Sequence, residues 1–180
     1  MWALLNSDNT INKILTRPKA LSIGDVNYPA NIFSMWTSAE LEAKGIYAVV
    51  VDNTNLKSGE YYINTDQTFA FADGTVTASY GTATAIAIAD TLWTAQDETD
   101  GFGTEGEVAT RGLKYNHKEV INSQAAGMLQ QTDWMVVRAA EGGTAVPSSI
   151  TTKRAAVRTK ANAMQAQIDG AANVDALAAL

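Results

Sequence analysis

The chain has no cysteine and a single histidine, His117, among its 180 residues. Without cysteine it can form no disulfide, thiolate zinc site, iron–sulfur cluster or cysteine nucleophile. A histidine metal site or a Ser-His-Asp triad would depend on that one imidazole, and no second ligand or nucleophile stands at a useful spacing from it. The glycines follow neither the GxGxxG nor the GxxxxGK order of phosphate-binding loops. These absences predict a protein that is not an enzyme and needs no cofactor.

Long apolar stretches are missing too. No run of eighteen apolar residues occurs, and the opening MWALLNSDNTINK lacks the charged-then-apolar order of a signal peptide. We therefore expect no membrane contact and a protein that stays in the cytosol where it is made.

Charge is unevenly distributed along the chain. Residues 1–110 hold fourteen acids and five bases, whereas residues 111–180 hold five acids and eight bases. The pI near 4.7 predicts repulsion of phosphate backbones and argues against a nucleic-acid partner. A basic patch formed by Lys153, Arg154, Arg158 and Lys160 has no interleaved aromatic residue on which a base could stack.

The first 81 residues are predicted to form a small, mostly antiparallel β module with one helix. Residues 1–5 and 11–15 flank a turn-forming NSDN segment, which indicates a hairpin. Thr37 and Glu40 have the spacing of a capping box, so a helix is expected over 38–44. The apolar run 46–51 is typical of a central strand, and Asp73-Gly74 predicts a turn between strands 69–72 and 75–80.

The rest of the chain is predicted to be mainly helical. Residues 82–95 fit a strand or a helix, with helix slightly favoured, and the acidic segment 97–107 reads as a link. Helices are expected over 107–131 and 149–169, while 134–140 fits a strand or a helical extension. In the first of these helices one partly apolar face is expected to rest on a neighbour, and it contains Val108, Gly112, Tyr115, Glu119, Asn122, Ala126 and Leu129. The prediction is therefore an α+β fold with a β-rich module at 1–81, a linker at 82–106 and a helical docking module at 107–180.

The helix at 149–169 has the clearest periodicity. Steps of four and three residues predict a seam against another helix, formed by Ile150, Arg154, Val157, Ala161, Met164 and Ile168. Arg154 interrupts this apolar seam. A charge at that position is costly unless a carboxylate or carbonyl meets it, so the seam ends there or a partner supplies the acid.

The acidic segment is also a weak candidate for a calcium loop. With Gln96 as position one, Asp100, Gly101 and Glu107 match the EF-hand pattern, and Glu98 falls at a ligand position. Position one is an amide instead of an aspartate, and Gly103 replaces the usual apolar residue. A solvated acidic loop is the simpler interpretation.

A short C-terminal segment resembles a known family. The order of Trp134, a hydrophobic run, Arg138, Glu141, Pro147 and a helix with Arg154 and Arg158 is similar to the C-terminal part of bacteriophage tail-fibre assembly proteins and tail assembly chaperones. Lys153 stands where many of them have tyrosine. The segment YPANIFSMWTSAELEAKGIY also looks like sequences common among phage tail-gene neighbours.

This resemblance implies a protein that docks on a tail-fibre or other tail protein, as an assembly factor or as an adaptor retained in the virion. The implied partner-binding residues are Trp134, Arg138, Lys153, Arg154, Val157 and Arg158. The implied location is the host cytoplasm during assembly, or the tail of the virion, and self-association is a further option. The alternatives left open are a calcium-responsive binding module and a carboxylate-based glycan hydrolase.

Overall fold

The computed structural model describes all 180 residues and has an α+β fold. The chain divides into two compact units, Met1–Thr84 and Ala85–Leu180. The first unit ends three residues beyond the boundary expected at residue 81. Most of the segment expected to be a linker, 82–106, lies inside the second unit.

The first unit contains eight strands and two short helices. They are β1 (Trp2–Leu5), β2 (Ile11–Leu15), β3 (Leu21–Ile23), β4 (Val26–Tyr28), α1 (Ile32–Met35), α2 (Ser38–Glu42), β5 (Ile46–Asp52), β6 (Tyr62–Ile63), β7 (Gln67–Ala72) and β8 (Thr75–Tyr80). A further short strand, β9 (Thr84–Ala85), lies where the first unit ends. The main sheet has the order β2-β1-β5-β8-β7, with β5 in the centre as expected.

Local sequence signals explain much of this unit. The β1–β2 hairpin forms as predicted, and the Thr37–Glu40 capping box starts α2. At the turn between β7 and β8, Asp73 and Gly74 have φ values of +50° and +77°, as a type I′ turn requires. The expectation of a mostly antiparallel sheet is confirmed, since β5 and β8 are the only neighbouring pair of the main sheet that runs parallel.

Both faces of the main sheet bury apolar side chains. On one face, Leu4 and Ile46 pack with Ile32 of α1 and Leu41 of α2. On the other face, a second cluster contains Ala3, Leu5 and Val76, with Tyr47, Val49 and Phe71 packed against it. The edge strands β2 and β7 contact each other, so the sheet is curled around this second cluster. This packing accounts for the stability of the unit without disulfides.

The second unit begins with extended segments and ends in a helical layer. Its elements are β10 (Thr91–Leu92), α3 (Ala95–Thr99), β11 (Val108–Thr110), α4 (Leu113–Gln130), α5 (Asp133–Ala140), α6 (Ser148–Gly170) and α7 (Val174–Ala178). Strands β10 and β11 pair in an antiparallel manner. Helices α4 and α6 are the main packed pair.

The slight preference for helix over residues 82–95 was wrong. This segment is extended up to Thr94 apart from a bend at Ile88 and Ala89, and its carbonyls accept hydrogen bonds from the start of α4. The amides of Leu113 and Lys114 donate to the carbonyls of Ala87 and Ile88 over 3.0 Å each. Because the first amides of a helix have no partner inside it, this tertiary contact stabilises the extended backbone more than a local helix could.

Helix α4 starts later and buries a different face than the sequence suggested. It begins at Leu113 instead of residue 107, because Val108–Thr110 is drawn into the β10–β11 pair. The covered stripe is Leu113, His117, Ile121, Ala125 and Leu129, whereas residues expected on the packed face, such as Tyr115 and Asn122, are exposed. The low apolar content of this helix had left its periodicity ambiguous.

Helix α6 matches its predicted seam. Every residue of the predicted seam is buried or half-buried, from Ile150 to Ile168, while most residues between them are exposed. The helix spans Ser148–Gly170, so Gly170 is its last residue, and Pro147 precedes it without a serine side-chain cap. Neither α4 nor α6, nor any shorter helix, has the length and apolar content needed to cross a membrane.

Candidate docking surface

Helix α5 presents large apolar side chains to solvent. Trp134 is 55% exposed and Val137 is 54% exposed, and Val136 is exposed beside them. Because this eight-residue helix leaves such large apolar side chains in solvent, their burial contributes little to its stability. Trp134, which the resemblance implies is a partner-binding residue, therefore lies at the surface of the second unit.

Arg138 is held against Trp134 by its own helix. Its guanidinium carbon lies 4.9 Å from the centre of the Trp134 ring, a cation–π contact one turn apart. The chain then turns at Gly142, where φ is +85°, and the amide of Gly143 donates to the carbonyl of Arg138 over 2.9 Å. This Schellman turn covers the side of Arg138, whose Nε is buried without a hydrogen-bond partner.

Arg154 is engaged inside its own chain. Its Nη1 donates to the carbonyl of Leu129 and to Oγ1 of Thr132, and its Nη2 donates to Oδ1 of Asp133, each over 2.7 Å. The guanidinium thus joins the end of α4 and the first turn of α5 to α6. The carboxylate and the carbonyl that a cation at this seam position requires come from the same polypeptide. We therefore infer that Arg154 stabilises the fold, and we exclude it from the proposed partner-binding residues.

The remaining cations of the patch lie on two sides of α6. Lys153 and Lys160 are exposed and lie along the side of the helix next to Val157, where they border an open groove. Arg158 is exposed too, but the helical repeat places it on the opposite side, with Gln165 and Asp169. The four cations are close together in the sequence, but the helix places Arg158 on the other side from Lys153 and Lys160.

An apolar groove runs along one side of the α4 and α6 pair. We call it the α4/α6 groove, and its floor is formed by Ile121, Ala125, Met128, Val157, Ala161 and Met164. Two adjoining cavities of about 280 and 460 Å³ make up the groove and share Met128, Ala156 and Val157. Met128 is 62% exposed, so the two helices alone do not cover this floor.

The sequence prediction named the α6 side of the groove as part of a helix seam but missed the α4 side. The stripe of Ile121, Ala125 and Met128, at steps of four and three, is the signal that could have located the α4 side. Val157 and Lys153 were expected to be partner-binding residues, but the α4 residues that form the other wall of the cavity were not identified.

The acidic segment does not gather its carboxylates around one point. No group of three acidic or histidine side chains in the chain could hold a metal ion. Glu98 accepts from the amide of Glu105 over 2.9 Å, and Asp100 accepts from the Gln96 side chain over 2.9 Å. Asp97 forms a capping box with Thr94, and these hydrogen bonds lower the pKa of Asp97. The candidate ligands Glu98, Asp100 and Glu107 thus lie apart in the loop, two of them used in local hydrogen bonds.

Asp90 connects the extended segment to the start of α4. Its carboxylate accepts from the Gly112 amide over 2.8 Å and from Arg111 Nη1 over 2.6 Å. The Gly112 hydrogen bond first, and the Arg111 contact second, hold the pKa of Asp90 below its ordinary value of 3.8. Arg111 also lies over the Tyr115 ring, 4.2 Å from its centre.

We expect the stability supplied by Asp90 to depend on pH. Because its pKa is lower in the folded chain, the contribution is complete above pH 3.8 and is lost as the pH falls through the folded-state pKa. Asp90→Asn should lower stability at pH 7 and should make the acid-induced loss of stability smaller than in the wild type. Urea unfolding at pH 7 and pH 3 measures both effects, and parallel pH dependences for the two proteins would contradict this assignment.

Comparisons with protein-family models, with curated proteins and with solved structures give no match for this chain.

Proposed function

We propose that this chain is a non-enzymatic bacteriophage tail accessory protein that docks on a tail-fibre or other tail protein. The observation that supports it best is the uncovered apolar surface of the second unit, where exposed Trp134 and Val137 accompany the open α4/α6 groove. Exposed aromatic and aliphatic side chains one helical turn apart, such as Trp134 and Val137, are typical of protein-binding surfaces. The family resemblance supplies the tail partner, and the surface supplies the means of binding it.

The proposed surface differs from the one expected from sequence. It keeps Trp134, Lys153 and Val157 as contact residues, with Arg138 orienting the Trp134 ring. Arg154 is left out because it bonds to Leu129, Thr132 and Asp133. Arg158 is left out because it lies on the other side of α6 from the groove.

Capture of the partner should depend on Trp134. We expect Trp134→Ala to weaken binding of a tail-fibre protein encoded beside this chain by at least about tenfold, because central tryptophans dominate interface energies. Stability should fall by no more than about 1 kcal/mol, since the side chain is more than half exposed and its ring contact with Arg138 lies within the same helix. Co-expression and pull-down, followed by titration of the purified pair, measures the change.

Phe102→Ala is the matched control, because Phe102 is 67% exposed and lies in the loop after α3. Equal capture by the wild type and by Trp134→Ala would remove α5 from the interface. Mass spectrometry of purified particles then separates the two roles: stoichiometric presence indicates a retained adaptor, and absence indicates an assembly factor.

A further inference from the structure

The α4/α6 groove is long enough to hold an α-helix. From Ile150 to Met164 its α6 wall rises about 21 Å, at 1.5 Å per residue. An α-helix of about four turns would match that length. Side chains from two antiparallel helices line the floor, and a third helix packed between them would cover apolar groups that are now open to solvent.

Methionine side chains suit this role. Met128 of α4 and Met164 of α6 both contribute to the floor of the groove. Val120 lies one turn from Gln124 on the same side of α4 and is 55% exposed. Methionine is flexible and polarizable, so it can adapt to the side chains of an incoming helix.

The charged side chains that line the groove limit which kind of polypeptide can bind there. The lining contains Lys153, Lys160 and the internally bonded Arg154, and it contains no carboxylate. Neither lysine forms an ion pair, whereas Lys118 and Arg154 do. The acids of α4 and α6 lie elsewhere: Glu119 bonds to Asn122, and Asp169 bonds to Lys118.

A second copy of the chain does not fit this pattern. Twofold pairing through the groove would bring Lys153 and Lys160 of both copies to one seam, with no acid from the lining of either groove to oppose them. A helix with carboxylates beside its apolar stripe meets both requirements, apolar contact with the floor and an opposite charge for each lysine.

We infer that the α4/α6 groove binds an acidic amphipathic helix of another polypeptide, an inference that rests on the proposed docking function and specifies its partner. Lys153 and Lys160 are seven residues apart, about 10.5 Å along the helix. The bound helix therefore carries apolar residues at heptad spacing and two acids seven residues apart on one flank.

The direct test uses two synthetic helical peptides of about sixteen residues. Both carry leucine at the heptad apolar positions; one has glutamate and the other lysine at two flanking positions seven residues apart. We expect the glutamate peptide to bind the full chain about tenfold more tightly than the lysine peptide, because two contacts change from attraction to repulsion. Fluorescence anisotropy measures both affinities, and no binding by either peptide at about 1 mM overturns the inference.

Charge reversal in the protein should reverse the preference. The double variant Lys153→Glu and Lys160→Glu is expected to prefer the lysine peptide, while Arg17→Glu with Lys19→Glu, an equal charge change at exposed positions of the first unit, keeps the wild-type preference. Arg158→Glu also keeps it, since that residue lies outside the groove. Loss of binding in Arg158→Glu would place the site on the other side of α6 and overturn the assignment.

Two further outcomes separate this inference from the proposed function. If a tail protein is captured equally by the wild type and by the double lysine variant, the groove assignment fails and the docking function stands. If the glutamate peptide binds as expected but no tail protein is captured, the groove stands and the tail function fails. A dimer in sedimentation that Met128→Glu converts to a monomer would show that a second copy occupies the groove, and would also overturn the inference.

Discussion

Replacing Arg154 with alanine is expected to lower the free energy of unfolding by about 3 kcal/mol. The side chain is 14% exposed and donates to a carbonyl of α4, to a hydroxyl in the turn between α4 and α5, and to a carboxylate of α5. The Leu129 carbonyl belongs to the last turn of α4, where a cation is favoured by the helix dipole, and it also accepts from the Thr132 amide over 3.0 Å. Removing the guanidinium leaves that carbonyl, and Asp133, without this donor.

Urea unfolding followed by circular dichroism measures the loss. Arg158→Ala is the control on the same helix, and as an exposed residue away from any contact it should change stability by less than about 0.5 kcal/mol. The pair with Asp133 should contribute only a minor part, because that carboxylate is 52% exposed. A double-mutant cycle with Asp133→Ala separates this part from the bonds to Leu129 and Thr132. If Arg154→Ala lowers the free energy of unfolding by less than about 1 kcal/mol, the guanidinium is not fixed by its own chain. Arg154 would then again be a candidate partner-binding residue.

Gly112→Ala is expected to destabilise the second unit by about 3 kcal/mol or more. A Cβ at Gly112 would overlap the Ala89 carbonyl group and would lie 2.7 Å from the Ile88 carbonyl oxygen. These are backbone atoms, so no side-chain rotation relieves the overlap. The extended segment would have to move away from α4, which would break its hydrogen bonds to Leu113 and Lys114 and the bond between Asp90 and the Gly112 amide.

Gly127→Ala is the matched control, with the opposite expected sign. Gly127 lies inside α4 and a Cβ there would meet nothing within 4 Å. Alanine should therefore stabilise the chain by about 0.5–1 kcal/mol through its higher helix propensity and the lower entropy of the unfolded chain. Thermal unfolding of both variants tests the pair, and a neutral Gly112→Ala would show that the segment before β10 does not pack closely on α4.

Three findings show why part of the candidate surface could be predicted from the sequence and part could not. The seam of α6 was predicted because its spacing repeats over five turns, and Val157 was identified with it. The α4 wall was missed because its stripe of Ile121, Ala125 and Met128 is short and is surrounded by polar residues. Arg154 was noted as anomalous, but its partners Leu129 and Asp133 are more than twenty residues away, and no local pattern connects them.

By itself, the sequence determined the features that depend on neighbours a few residues apart. The Thr37–Glu40 capping box, the Asp73-Gly74 turn and the α6 seam each need only local hydrogen bonds or a repeat along one element. The tertiary structure alone decided that residues 82–94 are extended, that Arg154 serves the fold, and that an apolar groove stays open between α4 and α6. The physical reason is that unpaired amides and carbonyls at helix ends, and the charges near them, are satisfied by whichever distant segment the fold brings close.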